Sequence, residues 1–191
     1  VFAIPSEILS EGATSGTFLE IGAAPGGKLS HLAELLKPEC NLLGIDFPHR
    51  IWKLSDNLNR LGIARVNLIA GDGRDLPFKK KSLAGVLIDA PCSSLGIIKR
   101  HPEIRYIKGP EDVKILAGLQ KELVHTALPV LQKDGVLVYS TCTLTPQENE
   151  EIVAYAERVG FRVEQREGSP YIVKSLPGEF DGAFVAKLRK A

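Results

Sequence analysis

Methionine is absent from this 191-residue chain, tryptophan occurs once, and cysteine occurs three times. Three widely separated thiols are an odd set without metal-type paired spacing, which excludes a disulfide framework and a zinc cluster. The thiols are therefore expected to be reduced, and no metal site is expected. Long apolar runs are missing too: none approaches the ~18 residues of a spanning helix. No basic segment followed by an apolar stretch opens the chain, so the expectation is a cytoplasmic protein with no membrane partner. Charge of one sign is also lacking, since 24 Lys+Arg face 23 Asp+Glu, leaving no global pull toward nucleic acid. Only local basic clusters remain: Lys79-Lys80-Lys81, Lys99-Arg100-His101 with Arg105 and Lys108, and Lys187-Arg189-Lys190. The missing methionine and the start at Val1 suggest a fragment whose N-terminal module lies elsewhere.

What is present is an alternation of two hydrophobic periods. Apolar, β-rich runs recur at 17–21, 42–45, 66–69, 83–88 and 136–139, separated by helical spacings at 28–36 and 51–61. From Asp112, the residues Val113, Leu116, Leu119, Leu123, Val124 and Leu128 step by three and four, which predicts a helix that Pro129 helps to end. Asp134-Gly135 then predicts a turn into the fifth strand. Thr145-Pro146-Gln147-Glu148 reads as an N-cap, a first-turn proline and a capping-box glutamate for a following helix. Two further strands are expected at 161–166 and 183–188. Strands alternating with helices imply parallel pairing through right-handed crossovers. The expected architecture is one α/β domain over residues 1–191, a Rossmann-like, mostly parallel open sheet of about seven strands with helices on both faces.

Between the first strand and its helix lies Gly22-Ala23-Ala24-Pro25-Gly26-Gly27-Lys28. A phosphate-binding loop would carry a hydroxyl after the lysine, but Leu29 stands there. A dinucleotide fingerprint would want glycine in place of Ala24. What remains is a small-residue loop that lets a ligand approach backbone amides at a helix N-terminus. Asp46 ends the second strand, placed to accept from two ribose hydroxyls, and Asp72 ends the third, near where an adenine amine would lie. Loop, acid and acid at three successive strand ends suit an adenosyl ligand with an amino acid tail.

Two cysteines follow strands directly: Cys92 in Asp89-Ala90-Pro91-Cys92-Ser93-Ser94-Leu95-Gly96 and Cys142 in Ser140-Thr141-Cys142-Thr143. With the glycine loop and Pro146-Gln147-Glu148-Asn149-Glu150, these motifs resemble those of the RNA cytosine-5 methyltransferases of the Sun/Fmu and NOL/NOP/Sun group. The resemblance covers nearly the whole chain. Gly22 departs from the pattern, standing where many members carry cysteine, and Ala183 stands where a phenylalanine is common. The segment Ile98-Lys99-Arg100-His101-Pro102-Glu103 is similar to that of bacterial enzymes acting on small-subunit ribosomal RNA. The family's RNA-binding extension, usually N-terminal, has no counterpart in the chain.

The resemblance implies S-adenosyl-L-methionine as cofactor, held by Gly22, Ala23, Ala24, Pro25, Gly26, Gly27, Lys28, Asp46, Asp72 and Asp89. It implies methylation of cytosine carbon 5 in RNA, with ribosomal RNA as the expected substrate; the alternatives are a tRNA or DNA cytosine-5 methyltransferase, or a catalytically silent RNA-binding or assembly module that retains the cofactor pocket. Carbon 5 becomes nucleophilic only after a thiolate adds at carbon 6. A cysteine of pKa ~8.5 is mostly protonated at neutral pH, so the site should lower that value. Lys28 is a candidate source of positive potential. The resemblance assigns attack to Cys142 and product release to Cys92, although spacing alone leaves the two interchangeable. Asp89 is expected to face the cytosine amine, separating cytosine from uracil, while Cys40 is expected to be structural. The oligomeric state has no sequence signal. Lys99, Arg100, His101 and Arg105 follow Cys92 closely enough to meet phosphates beside a base flipped from single-stranded or looped RNA. Neutralising them should make the logarithmic salt dependence of RNA binding shallower; an unchanged slope would remove this segment from the interface.

Overall fold

A computed structural model of the chain describes residues 3–176 and 181–191. The chain runs through α1 (Ile4–Ser10), β1 (Gly16–Ile21), α2 (Gly27–Leu35), β2 (Cys40–Asp46), α3 (Pro48–Arg60), β3 (Val66–Ala70) and β4 (Leu83–Asp89). A 3-10 turn at Leu95–Ile97 leads to α4 (Ile104–Ile107), α5 (Pro110–Val130) and β5 (Leu131–Thr141). After a second 3-10 turn at Pro146–Glu148 come α6 (Glu150–Val159), β6 (Phe161–Val163), β7 (Gln165–Arg166), β8 (Ser169–Pro170), β9 (Ile172–Ser175) and β10 (Ala183–Lys190).

The sheet has the order β3-β2-β1-β4-β5-β10-β6, with β9 beside β6 along the outer edge of β10. Strands β1 to β5 pair in parallel, and β10 closes antiparallel on β5. This is the expected Rossmann-like sheet, with eight strands where about seven were anticipated. The extra one, β9, is short and half exposed, so it carries no apolar run to announce it.

Period-two alternation divides the strand residues between two cores. Leu19, Val86, Ile88, Leu137, Tyr139 and Phe184 pack under α5 and α6, against Leu123, Val124, Ala127, Ile152 and Ala156. Phe18, Leu87, Val138 and Val185 face the other way, onto Ile8 and Leu9 of α1, Leu29 and Leu32 of α2, and Leu54 and Leu58 of α3. With both faces covered, the central strands read as continuous apolar runs. Each fully buried leucine contributes about 1.5–3 kcal/mol by leaving water.

Three local expectations are corrected. Residues 161–166 do not form one strand: β6 stops at Val163, where the Glu164 amide donates to the Lys187 carbonyl. The chain then turns through Glu167 and Gly168, both at positive φ, as the β7–β8 hairpin. The capping box at Thr145 does not form either. Pro146–Glu148 is a separate 3-10 turn without a side-chain cap, and the Glu148 carboxylate points instead to Ser93 of the loop after β4. The turn expected at Asp134-Gly135 lies inside β5, where Asp134 takes a φ of 58° and the pairing with β4 shifts register.

Glu20 in β1 alternates onto the face that packs against α2 and is 1% exposed, with Oε2 lacking a hydrogen-bond partner. Burial, with Asp89 adding to it, pushes its carboxyl well above the usual range despite Lys28 nearby. A folded-state pKa above the unfolded one gives a contribution complete below the ordinary glutamate value of about 4.3. That contribution is lost as pH rises toward the raised value. Glu20→Gln should therefore gain melting temperature on the parent between pH 5 and 8, by about 2–4 °C per kcal/mol recovered. A difference that stays flat with pH would show that Glu20 keeps an ordinary titration.

Candidate active site

Parallel strands end on one edge, and the loops after β1, β4 and β5 meet there because β1, β4 and β5 are neighbours. Gly22 leaves β1 at φ 78°, and a Cβ there would stand 2.5 Å from the Asp89 carbonyl oxygen. The glycine that departs from the family pattern is thus required by its own backbone. The Gly22 and Ala23 amides donate to the Ile45 carbonyl at 3.1 and 3.3 Å, and the Ala24 amide donates to Asp46 Oδ2 at 2.8 Å. Gly26, at φ 109°, passes against Leu54 and leads into α2. Lys28, in the first turn of α2, reaches Asp89 Oδ2 at 2.7 Å.

Two cavities adjoin this edge. The larger, about 450 Å³, is lined by Gly22, Ala24, Asp46, Asp72 and Asp89, by apolar Ile45, Leu119 and Leu123, and by both cysteines. The smaller, about 110 Å³, is lined by Lys28, Asp89, Thr141, Cys142, Asp181 and Gly182 among others. A cavity of about 150 Å³ holds benzene, so the smaller one is on the scale of a single aromatic ring. Asp89 and Cys142 line both, so occupants of the two cavities would meet across these side chains.

Of the residues expected to hold the cofactor, Gly22, Ala24, Asp46, Asp72 and Asp89 line the large cavity and Lys28 the small one. Ala23, Pro25, Gly26 and Gly27 shape the turn without lining either. Asp46 is 4% exposed and accepts the Ala24 and Phe47 amides, one on each carboxylate oxygen. Oδ1 also faces Arg50 Nε at 3.5 Å, while Oδ2 keeps a second lone pair for a ligand hydroxyl. Asp72 accepts from Arg74 Nε at 3.0 Å and Nη2 at 2.6 Å, and this guanidinium holds its carboxyl below the usual range. Arg74 was not legible in the sequence, because nothing in Gly71-Asp72-Gly73-Arg74 marks a side chain that folds back two residues.

Cys92 Sγ and Cys142 Sγ are 3.2 Å apart. The Cys142 amide lies 3.4 Å from Cys92 Sγ, and the Ser94 hydroxyl lies 3.4 Å from Cys142 Sγ. Hydrogen bonding from Cys92 lowers the Cys142 thiol to about 7, against desolvation, and Ser94 adds to the effect. Lys28 favours the thiolate and Asp89 opposes it. The Cys92 thiol is pushed well up, first by sharing its proton with Cys142 and then by burial. The expected lowering is present at Cys142, with a neighbouring thiol rather than Lys28 as its largest source. Cys40 is buried in the core of β2 and takes no part.

Gly96 is a further requirement that spacing did not reveal. Its amide donates to the Cys142 carbonyl at 2.9 Å, and its carbonyl accepts from the Gly182 amide at 2.8 Å. A Cβ on Gly96 would lie 2.3 Å from the Gly182 carbonyl oxygen. The same segment carries the basic residues. Arg100 pairs with Asp181 at the small cavity, and His101 Nδ1 lies 3.1 Å from Glu103. Arg105 is exposed on α4, and Lys99 is exposed beside Arg100. Among the described residues, no group of His, Cys, Asp and Glu is placed to hold a metal ion, and no helix is long and apolar enough to cross a membrane.

The thiol pair predicts a measurable asymmetry. Iodoacetamide should label Cys142 with a pH midpoint near 7, while Cys92 stays unlabelled to much higher pH. Earlier labelling of Cys92 would reverse the assignment of the proton.

A family model described as 16S rRNA methyltransferase RsmB/F matches residues 8–189. The chain is 39% identical over 181 residues to the ribosomal RNA small subunit methyltransferase B of Citrobacter koseri, covering 90% of this chain and 42% of that protein. The protein of the same name from an Enterobacter strain is 37% identical over 185 residues, with the same coverage. The chain therefore spans 42% of the length of these curated relatives. Among solved structures, NSun6 from Pyrococcus horikoshii, determined with SFG, superposes with a TM-score of 0.84 at 32% identity. That match covers 98% of this chain and 51% of NSun6. A SAM-dependent methyltransferase from Aquifex aeolicus shares the fold at a TM-score of 0.66 and 14% identity, covering 100% of this chain and 91% of its own. With the family model matching almost end to end, the chain belongs to the RsmB/F family of 16S rRNA methyltransferases.

Proposed function

We propose that this domain methylates carbon 5 of a cytosine in ribosomal RNA, with S-adenosylmethionine as methyl donor, through a covalent adduct on Cys142. The observation that carries the reading is the pair of adjoining cavities whose common wall is Asp89 and Cys142, with a second thiol 3.2 Å away. The relatives named ribosomal RNA small subunit methyltransferase B and the NSun6 structure with SFG support it.

The residues fit an adenosyl ligand: small residues at Gly22 and Ala24, acids at Asp46 and Asp72, and apolar Ile45, Leu119 and Leu123 share one cavity. When bound, the cofactor supplies an electrophilic methyl group. Cys142, more acidic than Cys92, adds as thiolate to carbon 6 of the base and leaves carbon 5 electron-rich. Asp89 accepts from the exocyclic amine, and the Lys28 ammonium offsets negative charge developing on the ring. Once Cys142 is tied up as a thioether, it no longer holds the shared proton on Cys92. Cys92 loses that proton to solvent and, after transfer, removes the carbon 5 proton as a thiolate; elimination re-forms the 5,6 double bond and releases Cys142 as thiolate. Lys99, Arg100, His101 and Arg105 bind phosphates around the flipped base, with Arg100 exchanging Asp181 for phosphate. The substrate is single-stranded or looped at the target, and the working compartment is the cytoplasm.

The test is methyl transfer from labelled donor to small-subunit ribosomal RNA, with tRNA as the comparison. Cys142→Ala should abolish 5-methylcytosine formation, and Cys92→Ala should accumulate a protein–RNA adduct. Adducts that depend on Cys92 instead would reverse the roles of the thiols, and transfer confined to tRNA would overturn the substrate.

A further inference from the structure

Glu148 is fully buried, and among the described residues no cationic side chain pairs with it. Isolated buried carboxylates are costly and are kept where hydrogen bonds satisfy them. Four donors do so here. Oε1 accepts the Ser93 amide at 2.8 Å and Gln120 Nε2 at 3.1 Å. Oε2 accepts the Ser93 hydroxyl at 2.5 Å and the Thr145 hydroxyl at 2.8 Å. The Glu148 carbonyl is itself held by the Tyr139 hydroxyl of β5 at 2.6 Å.

Two of these partners, Ser93 and Gln120, flank Cys92, and the side chain of the next residue, Asn149, flanks Cys142. On either side of Cys92, Ser93 binds the carboxylate directly, and Pro91 gives its carbonyl to the same Gln120 amide at 2.9 Å. On either side of Cys142, Thr141 donates to Asn149 Oδ1 at 2.7 Å, and Asn149 Nδ2 donates to the Thr143 carbonyl at 3.0 Å. Ser93 Oγ and Thr143 Oγ1, 2.8 Å apart, join the two loops. Because the single Ser93 hydroxyl proton goes to the carboxylate, Ser93 Oγ is left to accept from Thr143. The carboxylate therefore orders the hydroxyls between the cysteines as well as the backbone around them.

We propose that Glu148 is a positioning residue: its buried carboxylate, acting through Ser93 and Gln120, fixes the loop carrying Cys92 against the loop carrying Cys142 and so sets the sulfur–sulfur contact. Besides that tie, the described residues join the two loops through strand pairing that the Ala90 amide extends to Ser140, the Ser93–Thr143 hydroxyl contact that the carboxylate orders, Gly96, and contacts of the thiols with each other and with Ser94. Losing the contact removes the Cys92 donor that makes Cys142 acidic. A role confined to stability would lower the melting temperature and leave the reactivity of Cys142 unchanged.

The inference rests on Cys92 and Cys142 being the reacting thiols, yet its test uses neither RNA nor methyl donor, so the two readings fail separately. The pH profile of iodoacetamide labelling at Cys142 would be mapped by mass spectrometry in the parent, Glu148→Ala and Ser93→Ala. Cys92→Ala serves as the reference for complete loss of the donor. The expected result is a midpoint moving from about 7 to above 8, toward the ~8.5 of an ordinary thiol, in both folded variants. Should Glu148→Ala not fold, Ser93→Ala decides, since it removes the hydroxyl link and leaves three donors on the carboxylate. A midpoint unmoved in the folded variants, with the Cys92→Ala reference shifted, would overturn the proposal.

Discussion

The parallel pairing of β4 with β5, in the register that sets Asp89 opposite Ser140, is the constraint from which the site follows. The Ala90 amide extends that pairing to the Ser140 carbonyl at 2.9 Å. Cys92 and Cys142, far apart in sequence, therefore leave the sheet side by side. On the other flank of β4, β1 pairs through Ile21 and Ile88, which brings the glycine loop against Asp89 and Lys28 within reach of its carboxylate. Three strand ends thus bring the Asp89 carboxylate, both thiols and the glycine loop to one edge.

The charges at this edge are managed in different ways. Lys28 and Asp89 pair directly in a half-open setting. Glu20, buried behind them, is held toward its neutral form by desolvation and by the neighbouring acids. Glu148 has hydrogen bonds to uncharged groups in place of a cation. Cys142 gains acidity chiefly from the Cys92 thiol and the Ser94 hydroxyl, 3.2 and 3.4 Å from its sulfur, against the desolvation of a partly enclosed site. The lowering at Cys142 thus comes from short-range hydrogen bonds first, with the Lys28 charge a smaller contribution.

Much of the framework was legible because its signals are local. The runs at 42–45 and 83–88 became β2 and β4 with ends extended by one or two residues, and the periodicity from Val113 to Leu128 became α5. Cys92, Cys142, Asp89 and Lys28 were found from motifs, and the structure brings all four together. Other features were hidden. Glu148 has the spacing of a capping box, yet its carboxylate is captured by Ser93, a partner that only β4–β5 pairing brings near. Arg100 reads as a free cation for phosphate, but Asp181 meets it from the far end of the chain. Short strands such as β9 carry too few residues for a period to register.

The sequence by itself determined the alternation of strands and helices, the ligand loop at the first strand end, and the residue types available for chemistry on a base. Hydrophobic period and glycine placement act within a few residues, so they can be read along the chain. Tertiary structure alone decided which cysteine is the more acidic, where Glu148 directs its carboxylate, and which cations are already paired. Those properties depend on distances of about 3 Å between residues tens of positions apart, and such distances exist only once the strands have paired.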